Sequence, residues 1–289
     1  LTAPLIILFA CEVQSAKILG LFPHVGRSHH MIFEPLLKTL AENGHQVTEV
    51  SFFPPKGHLE NHMHVSLQGL ATIRKEALNL SLFENRNKIA DKFGLGLFMT
   101  QINAFHPLAN LAIGICSKLI KFAPLTEVLK KEYDVVILEN FNSDCMLGLL
   151  HVYGVKVPVV TILSSPLLHW SASRIGVTDN PSFVPVMTSE TTSKMSFRQR
   201  MENTIMNIYF KLWFRYNIQV KERALIENRF NRKIPDLQDL AKNASLMLVN
   251  TFHSLNGVRP LLPGVVEVGG MHLNHNLKPI PRVRNAPVS

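Results

Sequence analysis

The apolar positions near the start of the chain alternate between short runs and a helical repeat. Residues 16–23 form a short apolar run closed by proline, which predicts a buried strand. Apolar side chains then recur every three to four positions over residues 31–43, which predicts an amphipathic helix that ends at Gly44; Pro35 lacks an amide hydrogen, so this helix starts late or kinks there. Residues 45–53 alternate like a second strand. Strand, helix and strand in this order predict an α/β fold with a doubly wound parallel sheet.

The rest of the chain continues this alternation without internal repeats. The pattern predicts helical structure over residues 65–131, a short helix over residues 144–153 and a long helical region over residues 191–229. It predicts strands over residues 133–138, 157–163, 245–250 and 265–269, and the first of these is the clearest buried strand. The stretch His62-Met-His64 is more typical of solvated surface than of a metal cluster.

The two ends of the chain differ in composition from the part between them. Residues 1–16 combine a short apolar run with small residues and predict a secretory signal peptide. Residues 278–289 are proline-rich and basic, as expected for a linker or truncated tail. Residues 17–277 are then one domain, and no apolar run in the chain is long enough to predict a membrane span.

Charge and cysteine content narrow the classes of partner. The formal net charge is +9, but the positive residues are dispersed, so we expect no nucleic-acid partner. The densest basic region, residues 194–233, also contains glutamates and predicts solvated helix faces, with a face near lipid headgroups as the alternative. Cys11 belongs to the signal segment, and Cys116 and Cys145 lack metal-ligand spacing, so we expect neither a disulfide framework nor a metal site.

The loop after the first predicted strand contains the most informative polar residues, which are Ser28, His29 and His30. Ligands of open α/β sheets bind outside the carboxyl ends of the strands, which is where this loop lies. The positive end of a helix disfavours a second positive charge, and a neutral imidazole is what a general base requires near pH 7. These histidines are therefore candidate bases; the alternative is an ordinary polar loop.

A base of this kind works better with a carboxylate that orients the ring. Glu139 and Asp144 follow the next central strand, and the carboxyl ends of neighbouring parallel strands lie close in space. Asp134 lies at the opposite end of that strand and is a poor candidate. Position after the strand therefore leaves both Glu139 and Asp144 as candidates for the partner carboxylate.

Several short segments, in order, carry a family resemblance. They are Ser28-His29, Gly44-His-Gln-Val-Thr, Asn142-Ser-Asp144-Cys145, Asn180-Pro-Ser-Phe-Val-Pro-Val-Met187, Met195-Ser-Phe-x-x-Arg200, Leu261-Leu-Pro-Gly264 and Val268-Gly-Gly-Met-His272. Each segment alone is weak, but the ordered set is specific. The chain resembles the N-terminal half of a UDP-glycosyltransferase of the insect type.

The resemblance implies a Rossmann-like half of a two-domain (GT-B type) enzyme. Its N-terminal half binds a small lipophilic acceptor, its C-terminal half binds the UDP-sugar, and a hexosyl group is transferred with inversion. The family's catalytic histidine matches His29, fifteen residues before Gly44. Asp144 matches the insect-type Asn-Ser-Asp-Cys segment and is the preferred partner acid, whereas Glu139, which stands where vertebrate relatives have Asp, is the alternative.

The resemblance also implies an apolar acceptor pocket. Its candidate lining residues are Phe53, Phe98, Phe105 and Trp170, each equally plausible as a core residue. We expect no cofactor in this chain, because the UDP-sugar is a co-substrate held by the other half.

The family implies further expectations about the whole protein. These are a location in the lumen of the endoplasmic reticulum, a membrane anchor in the full-length protein and oligomers with full-length enzyme. Family members continue after Pro279 into the donor half, so we expect this chain alone to be inactive. The alternative function is a non-catalytic form that binds lipophilic ligands or modulates full-length partners.

Overall fold

The computed structural model describes residues 15–73, 96–187, 189 and 191–273. Seven strands form one sheet in the order β3-β2-β1-β4-β5-β6-β7, and every neighbouring pair is parallel. The strands are β1 (Lys17–Phe22), β2 (Gln46–Ser51), β3 (His62–Ser66), β4 (Val135–Glu139), β5 (Val159–Leu163), β6 (Leu246–Val249) and β7 (Val265–Glu267). The chain builds outward from β1 to β3 and then returns to add β4 on the other side of β1. This confirms the predicted Rossmann-like α/β fold.

Helices connect most of the strands, and a loop without a helix joins β2 to β3. The helices are α1 (Arg27–Glu42), α2 (Gly96–Leu119), α3 (Ala123–Leu129), α4 (Cys145–Val152), α5 (Phe197–Phe214), α6 (Val220–Phe230), α7 (Leu237–Ala241) and α8 (His253–Asn256). A 3-10 helix (Ala172–Ile175) follows β5, and a π-helical turn (Arg215–Gln219) joins α5 to α6.

The central strand β1 is buried because both faces of the sheet are covered. Leu19 and Leu21 belong to one buried apolar cluster, whereas Ile18 and Phe22 belong to another. Alternate side chains of a strand point to opposite faces, so the two clusters lie on opposite sides of the sheet. A continuous apolar run, without alternation, is what a parallel strand covered on both faces requires.

The first helix begins earlier than the sequence pattern indicates. It starts at Arg27 rather than near residue 31, and it continues through Pro35 to Glu42. His29 and His30 therefore lie in the first turn of α1 and not in the preceding loop. The loop that precedes the helix is correspondingly shorter, and helical geometry determines where both side chains point.

The interpretation of the His-Met-His stretch as solvated surface is wrong for His62. These residues form β3, which pairs with β2, and the His62 side chain is 3% exposed against Glu49. Five residues with mixed polarity give no clear period, so pairing with β2 is what determines this strand.

The described residues contain no single helix that is long and apolar enough to cross a membrane. The segments Phe98–Leu119 and Ala123–Leu129 reach that length and composition only as a pair, and they are bent by 77° relative to each other. Residues 1–14 of the predicted signal segment (residues 1–16) lie outside the described residues, as does the whole predicted tail (residues 278–289). Residues 74–95 and 274–277 also lie outside them.

Candidate functional site

The site lies where β1 and β4 end side by side at the centre of the sheet. His29 is in the first turn of α1, which follows β1, and Glu139 is the last residue of β4. His29 Nδ1 lies 2.7 Å from Glu139 Oε1, a hydrogen-bond distance. The Glu139 side chain is 2% exposed, whereas that of His29 is 17% exposed. The carboxylate is therefore buried behind a histidine that reaches the surface.

The histidine determines the charge state of the buried carboxylate. Burial alone would raise the pKa of Glu139, but the hydrogen bond from His29 and the nearby imidazoles outweigh burial and lower it. Glu139 is therefore ionised near neutral pH. An ionised carboxylate orients the imidazole by accepting a hydrogen bond from Nδ1–H and stabilises the imidazolium if the ring takes up a second proton.

A second histidine, His24, stacks beside His29. The two ring centroids are 4.2 Å apart. Burial, opposed by the charge of Glu139 and reinforced by His29, lowers the pKa of His24 to about 4, so His24 is neutral near pH 7. Its Nδ1 accepts a hydrogen bond from the Gly26 amide. His24 was not among the sequence-based candidates, although it lies in the same segment between β1 and α1.

Two further residues complete the surroundings of the His29 ring. The ring of Phe141 packs edge-on against His29, with centroids 4.3 Å apart, and the Ser164 hydroxyl lies 2.8 Å from His29 Nδ1. Ser164 directly follows β5, so three neighbouring strands contribute to the site. Sequence reasoning missed both residues, although position immediately after a strand is the signal that could have found Ser164.

The structure corrects the preference for Asp144 as the carboxylate beside His29. Both oxygens of Asp144 accept hydrogen bonds from Arg174, at 2.8 and 2.7 Å, and Gln219 donates to the same carboxylate. The alternative, Glu139, makes the contact with His29. Asp144 is five residues farther along, at the start of α4, where it faces the 3-10 helix and the π-helical turn.

The segment between Glu139 and α4 is held by a buried polar network. Arg174 also donates to Asn140 Oδ1, and Asn142 Nδ2 donates to the Leu108 carbonyl. Glu222 of α6 accepts hydrogen bonds from the Ser143 hydroxyl and the Asp144 amide. Burial raises the pKa of Glu222 to about 8, so this carboxyl is largely protonated near pH 7. Asp144 and its partners thus fix the backbone that carries Glu139 and Phe141.

A disulfide bond adds to this anchoring, although the sequence predicts no disulfide framework. Cys116, near the end of α2, is bonded to Cys145, the first residue of α4. The two are 29 residues apart, and both are buried. Three cysteines without a recognisable spacing gave no signal for the pairing, which depends on how α2 packs against the sheet.

The four predicted acceptor-lining aromatics fall into two groups, neither of them next to His29. Phe105 and Trp170 are buried in one aromatic cluster, and half-buried Phe98 packs against it. Phe53 belongs to a different cluster and contacts the ring of His30.

The structure thus gives the four aromatics core positions. Trp170 still acts on the site indirectly, because its Nε1 donates to the Phe141 carbonyl at 2.9 Å.

A small cavity of about 10 Å³ lies beside Glu139 and His24. Its lining residues are Pro23, His24, Ala112, Ile115, Glu139, Phe141, Asn142 and Ser143. Helix α2 therefore supplies the apolar wall opposite the polar segment that follows β4. Neither His29 nor any of the four predicted aromatics lines this cavity, and the acceptor-lining role of those aromatics stays a prediction.

One group of side chains in this site has the composition of a metal site. His24, His29 and Glu139 each offer one ligand atom, and these atoms lie within 4.8 Å of one another. A metal ion there would use the same imidazole that a general base needs. The expectation of no metal remains a prediction.

Known proteins resemble this chain along most of its length. Its sequence matches the family described as UDP-glucoronosyl and UDP-glucosyl transferase over residues 17–287. The chain belongs to this family. A UDP-glucosyltransferase 2 of the insect Dactylopius coccus is 31% identical over 269 residues, which cover 93% of this chain and 50% of the relative. The 2-hydroxyacylsphingosine 1-beta-galactosyltransferase of Rattus norvegicus is 26% identical and is matched over 93% of this chain and 47% of its own length.

The match to the UDP-glycosyltransferase family confirms the resemblance seen in the ordered segments. Among solved structures, Medicago truncatula UGT71G1 complexed with UDP-glucose aligns with a TM-score of 0.40 and 13% identity, over 94% of this chain and 55% of that one. The chain spans about half the length of the curated relatives it matches.

Proposed function

We propose that this chain supplies the acceptor site and the catalytic base of a UDP-glycosyltransferase, which transfers a hexosyl group to a small lipophilic hydroxyl compound. The observation that carries the proposal is the 2.7 Å contact between His29 Nδ1 and Glu139 Oε1. A carboxylate on Nδ1 favours the tautomer whose Nε2 carries a lone pair. No described residue hydrogen-bonds His29 Nε2, and the ring is partly exposed. Nε2 is therefore open to a substrate hydroxyl.

In the proposed reaction, His29 Nε2 takes the proton of the acceptor hydroxyl as its oxygen attacks the anomeric carbon of the UDP-sugar. A new carbon–oxygen bond forms on one face of the sugar, and the bond to the UDP oxygen breaks on the other. UDP leaves with the electron pair, and the configuration is inverted. Glu139 stays ionised and stabilises the imidazolium that forms.

The proposed class of acceptor rests on the family resemblance and on the apolar side chains near the site. Phe141 packs against His29, and Ala112 and Ile115 lie with Phe141 beside Glu139; such surface suits a lipophilic alcohol or phenol better than a charged compound. The rat relative is named for its action on a 2-hydroxyacylsphingosine, which is also a lipophilic alcohol. The UDP-sugar would be bound by a second half, since the curated relatives are about twice as long as the matched region. The lumenal location and the membrane anchor remain part of this proposal.

The test uses the 289-residue chain and a fusion of this chain to the second half of the 31%-identical insect relative. We expect the fusion to transfer a radiolabelled hexose to phenolic acceptors and the chain alone to bind acceptors without transfer. His29→Ala in the fusion should lower kcat by about 10²- to 10⁴-fold, because the general base is lost, with little change in acceptor affinity by calorimetry.

His58→Ala, at an exposed histidine outside the site, is the matched control and should leave kcat unchanged. Comparable activity in His29→Ala would contradict the role of the base. Transfer by the unfused chain would contradict the proposed second half.

A further inference from the structure

Helix α5 has a second apolar face that the core does not use. Its buried face contributes Met206, Phe210 and Trp213 to the aromatic cluster. Large apolar side chains also follow the outer face at intervals of three or four residues and continue into the π-helical turn, each between 50% and 75% exposed: Phe197, Met201, Ile205, Ile208, Leu212 and Tyr216. We call these six residues the outer stripe. Side chains at this spacing lie one above another, so the stripe is continuous.

An exposed row of this length requires an explanation. Single exposed apolar residues are normal on protein surfaces, but contiguous apolar patches mark sites of contact with proteins or membranes. Leaving six large side chains in water forfeits the free energy that their burial would release.

The charges around the outer stripe indicate the nature of the contact. Residues 194–223 contain seven Lys and Arg side chains and two acidic ones, Glu202 and Glu222. Glu222 is buried inside the protein, so it does not balance charge at the surface. Three of the seven cations, Lys211, Arg215 and Arg223, pair with Asp179, Asp236 and Glu227, respectively, so their charges are balanced. The cations for which the described residues provide no ion pair lie near the two ends of the stripe: Lys194, Arg198 and Arg200 at one end, and Lys221 at the other. The stripe is thus an apolar row with an excess of positive charge at its borders.

We propose that the outer stripe lies flat on an anionic lipid bilayer, with the apolar side chains in the headgroup–acyl boundary and the cations on the lipid phosphates. An amphipathic helix with Phe, Leu and Ile on one face and Lys and Arg at its borders has the composition of an interfacial helix. Each cation near an anionic surface adds to the attraction. A second copy of the chain fits less well, because two-fold packing of the stripe on itself would place like charges against each other.

This contact is independent of the proposed glycosyl transfer. No residue of the stripe belongs to the His29–Glu139 site, so loss of one does not imply loss of the other. A helix lying in the interface also requires no membrane-spanning segment.

The test measures sedimentation of the 289-residue chain with vesicles of phosphatidylcholine, with and without about 30% phosphatidylserine. We expect binding to the anionic vesicles and much weaker binding to the neutral ones. Ile205→Glu combined with Ile208→Glu should weaken binding at least about tenfold, because two apolar contacts are replaced by anions that the lipid repels. Arg198→Gln combined with Lys221→Gln should weaken binding to the anionic vesicles alone.

The matched control is Leu255→Glu combined with Val258→Glu, since these residues are 85% and 79% exposed but lie outside the stripe. Circular dichroism should show the same fold for all variants. Absence of binding to anionic vesicles, or equal loss of binding in the control, would overturn the proposal. A concentration-dependent dimer that the Ile205/Ile208 variant abolishes, without vesicle binding, would assign the stripe to self-association instead.

Discussion

Two histidines that are neighbours in the sequence form two similar pairs with very different surroundings. His29 contacts Glu139, and His30 contacts Glu49 of β2; both nitrogen–oxygen distances are 2.7 Å. The His29 side chain is 17% exposed, whereas the His30 side chain is 2% exposed. Successive helical residues point about 100° apart. One pair therefore reaches the candidate site at the end of β4, and the other is enclosed against β2.

Other side chains also contact the enclosed His30–Glu49 pair. His62 of β3 lies 3.0 Å from the second oxygen of Glu49 at ion-pair distance, and the Phe53 ring packs on His30. Burial would raise the pKa of Glu49, but the contacts of His30, His62 and Ser51 outweigh it and lower the pKa to about 2. No described residue hydrogen-bonds His30 Nδ1, which is nevertheless closed to solvent. Access to an uncommitted ring nitrogen, and not the His–Glu contact itself, distinguishes a site from a structural pair.

The sharpest test of this difference is Glu139→Gln. The amide keeps the size of the side chain but not the charge that stabilises a protonated His29, so kcat of the fusion should fall by about 10²-fold or more, with a smaller change in KM. Glu139→Asp keeps the charge and should recover part of the loss. Steady-state kinetics at saturating UDP-sugar measures both variants.

The control for this prediction is Glu127→Gln, at an exposed residue on α3. If Glu139→Gln retained full kcat, Glu139 would have no role in positioning the base.

The same substitution in the enclosed pair, Glu49→Gln, should act on stability instead. It removes the charged acceptor of two buried histidines, and the expected loss is about 1–3 kcal/mol of the free energy of unfolding. Activity per folded molecule should be unchanged. Urea unfolding followed by fluorescence measures the loss, and Glu42→Gln, on the exposed end of α1, is the control. A kcat loss like that of Glu139→Gln, without loss of stability, would remove the distinction between the pairs.

Glu222 shows what burial does to a glutamate without a histidine partner. Its folded pKa of about 8 lies above the ordinary value of 4.5, so at pH 6–7 it is protonated in the folded protein and ionised in the unfolded chain. Folding then takes up a proton, and this group's contribution to stability decreases as the pH rises between 4.5 and 8.

The expected slope is at most about 1.4 kcal/mol per pH unit. Glu222→Gln does not titrate, so its stability relative to the parent chain should rise from pH 6 to pH 7. Urea unfolding at the two pH values measures this difference. A constant difference would mean that Glu222 is already ionised in the folded protein and that its pKa is not raised.

The candidate base could be predicted from the sequence, but its partner could not. His29 was identified by its position after β1 and by the family segments, and the structure places it at the carboxyl end of the sheet. Choosing between Glu139 and Asp144 required knowledge of which carboxylate the chain turns toward α1. The sequence contains no signal that Arg174, 30 residues farther on, binds Asp144. The local apolar pattern shows where a residue lies along a strand. Which side chain that residue contacts depends on the loops that pack over the end of the strand.

The sequence by itself determined the α/β class, the order of most elements, the family and the histidine, because apolar periodicity and ordered motifs are local properties of the chain. Tertiary structure alone decided the Glu139 contact, the enclosed His30–Glu49–His62 cluster, the Cys116–Cys145 bond and the outer stripe. Each of these joins residues that are distant in sequence, or leaves a helix face uncovered. Their placement depends on which strands pair and which helix faces the sheet covers, and no local pattern contains that information.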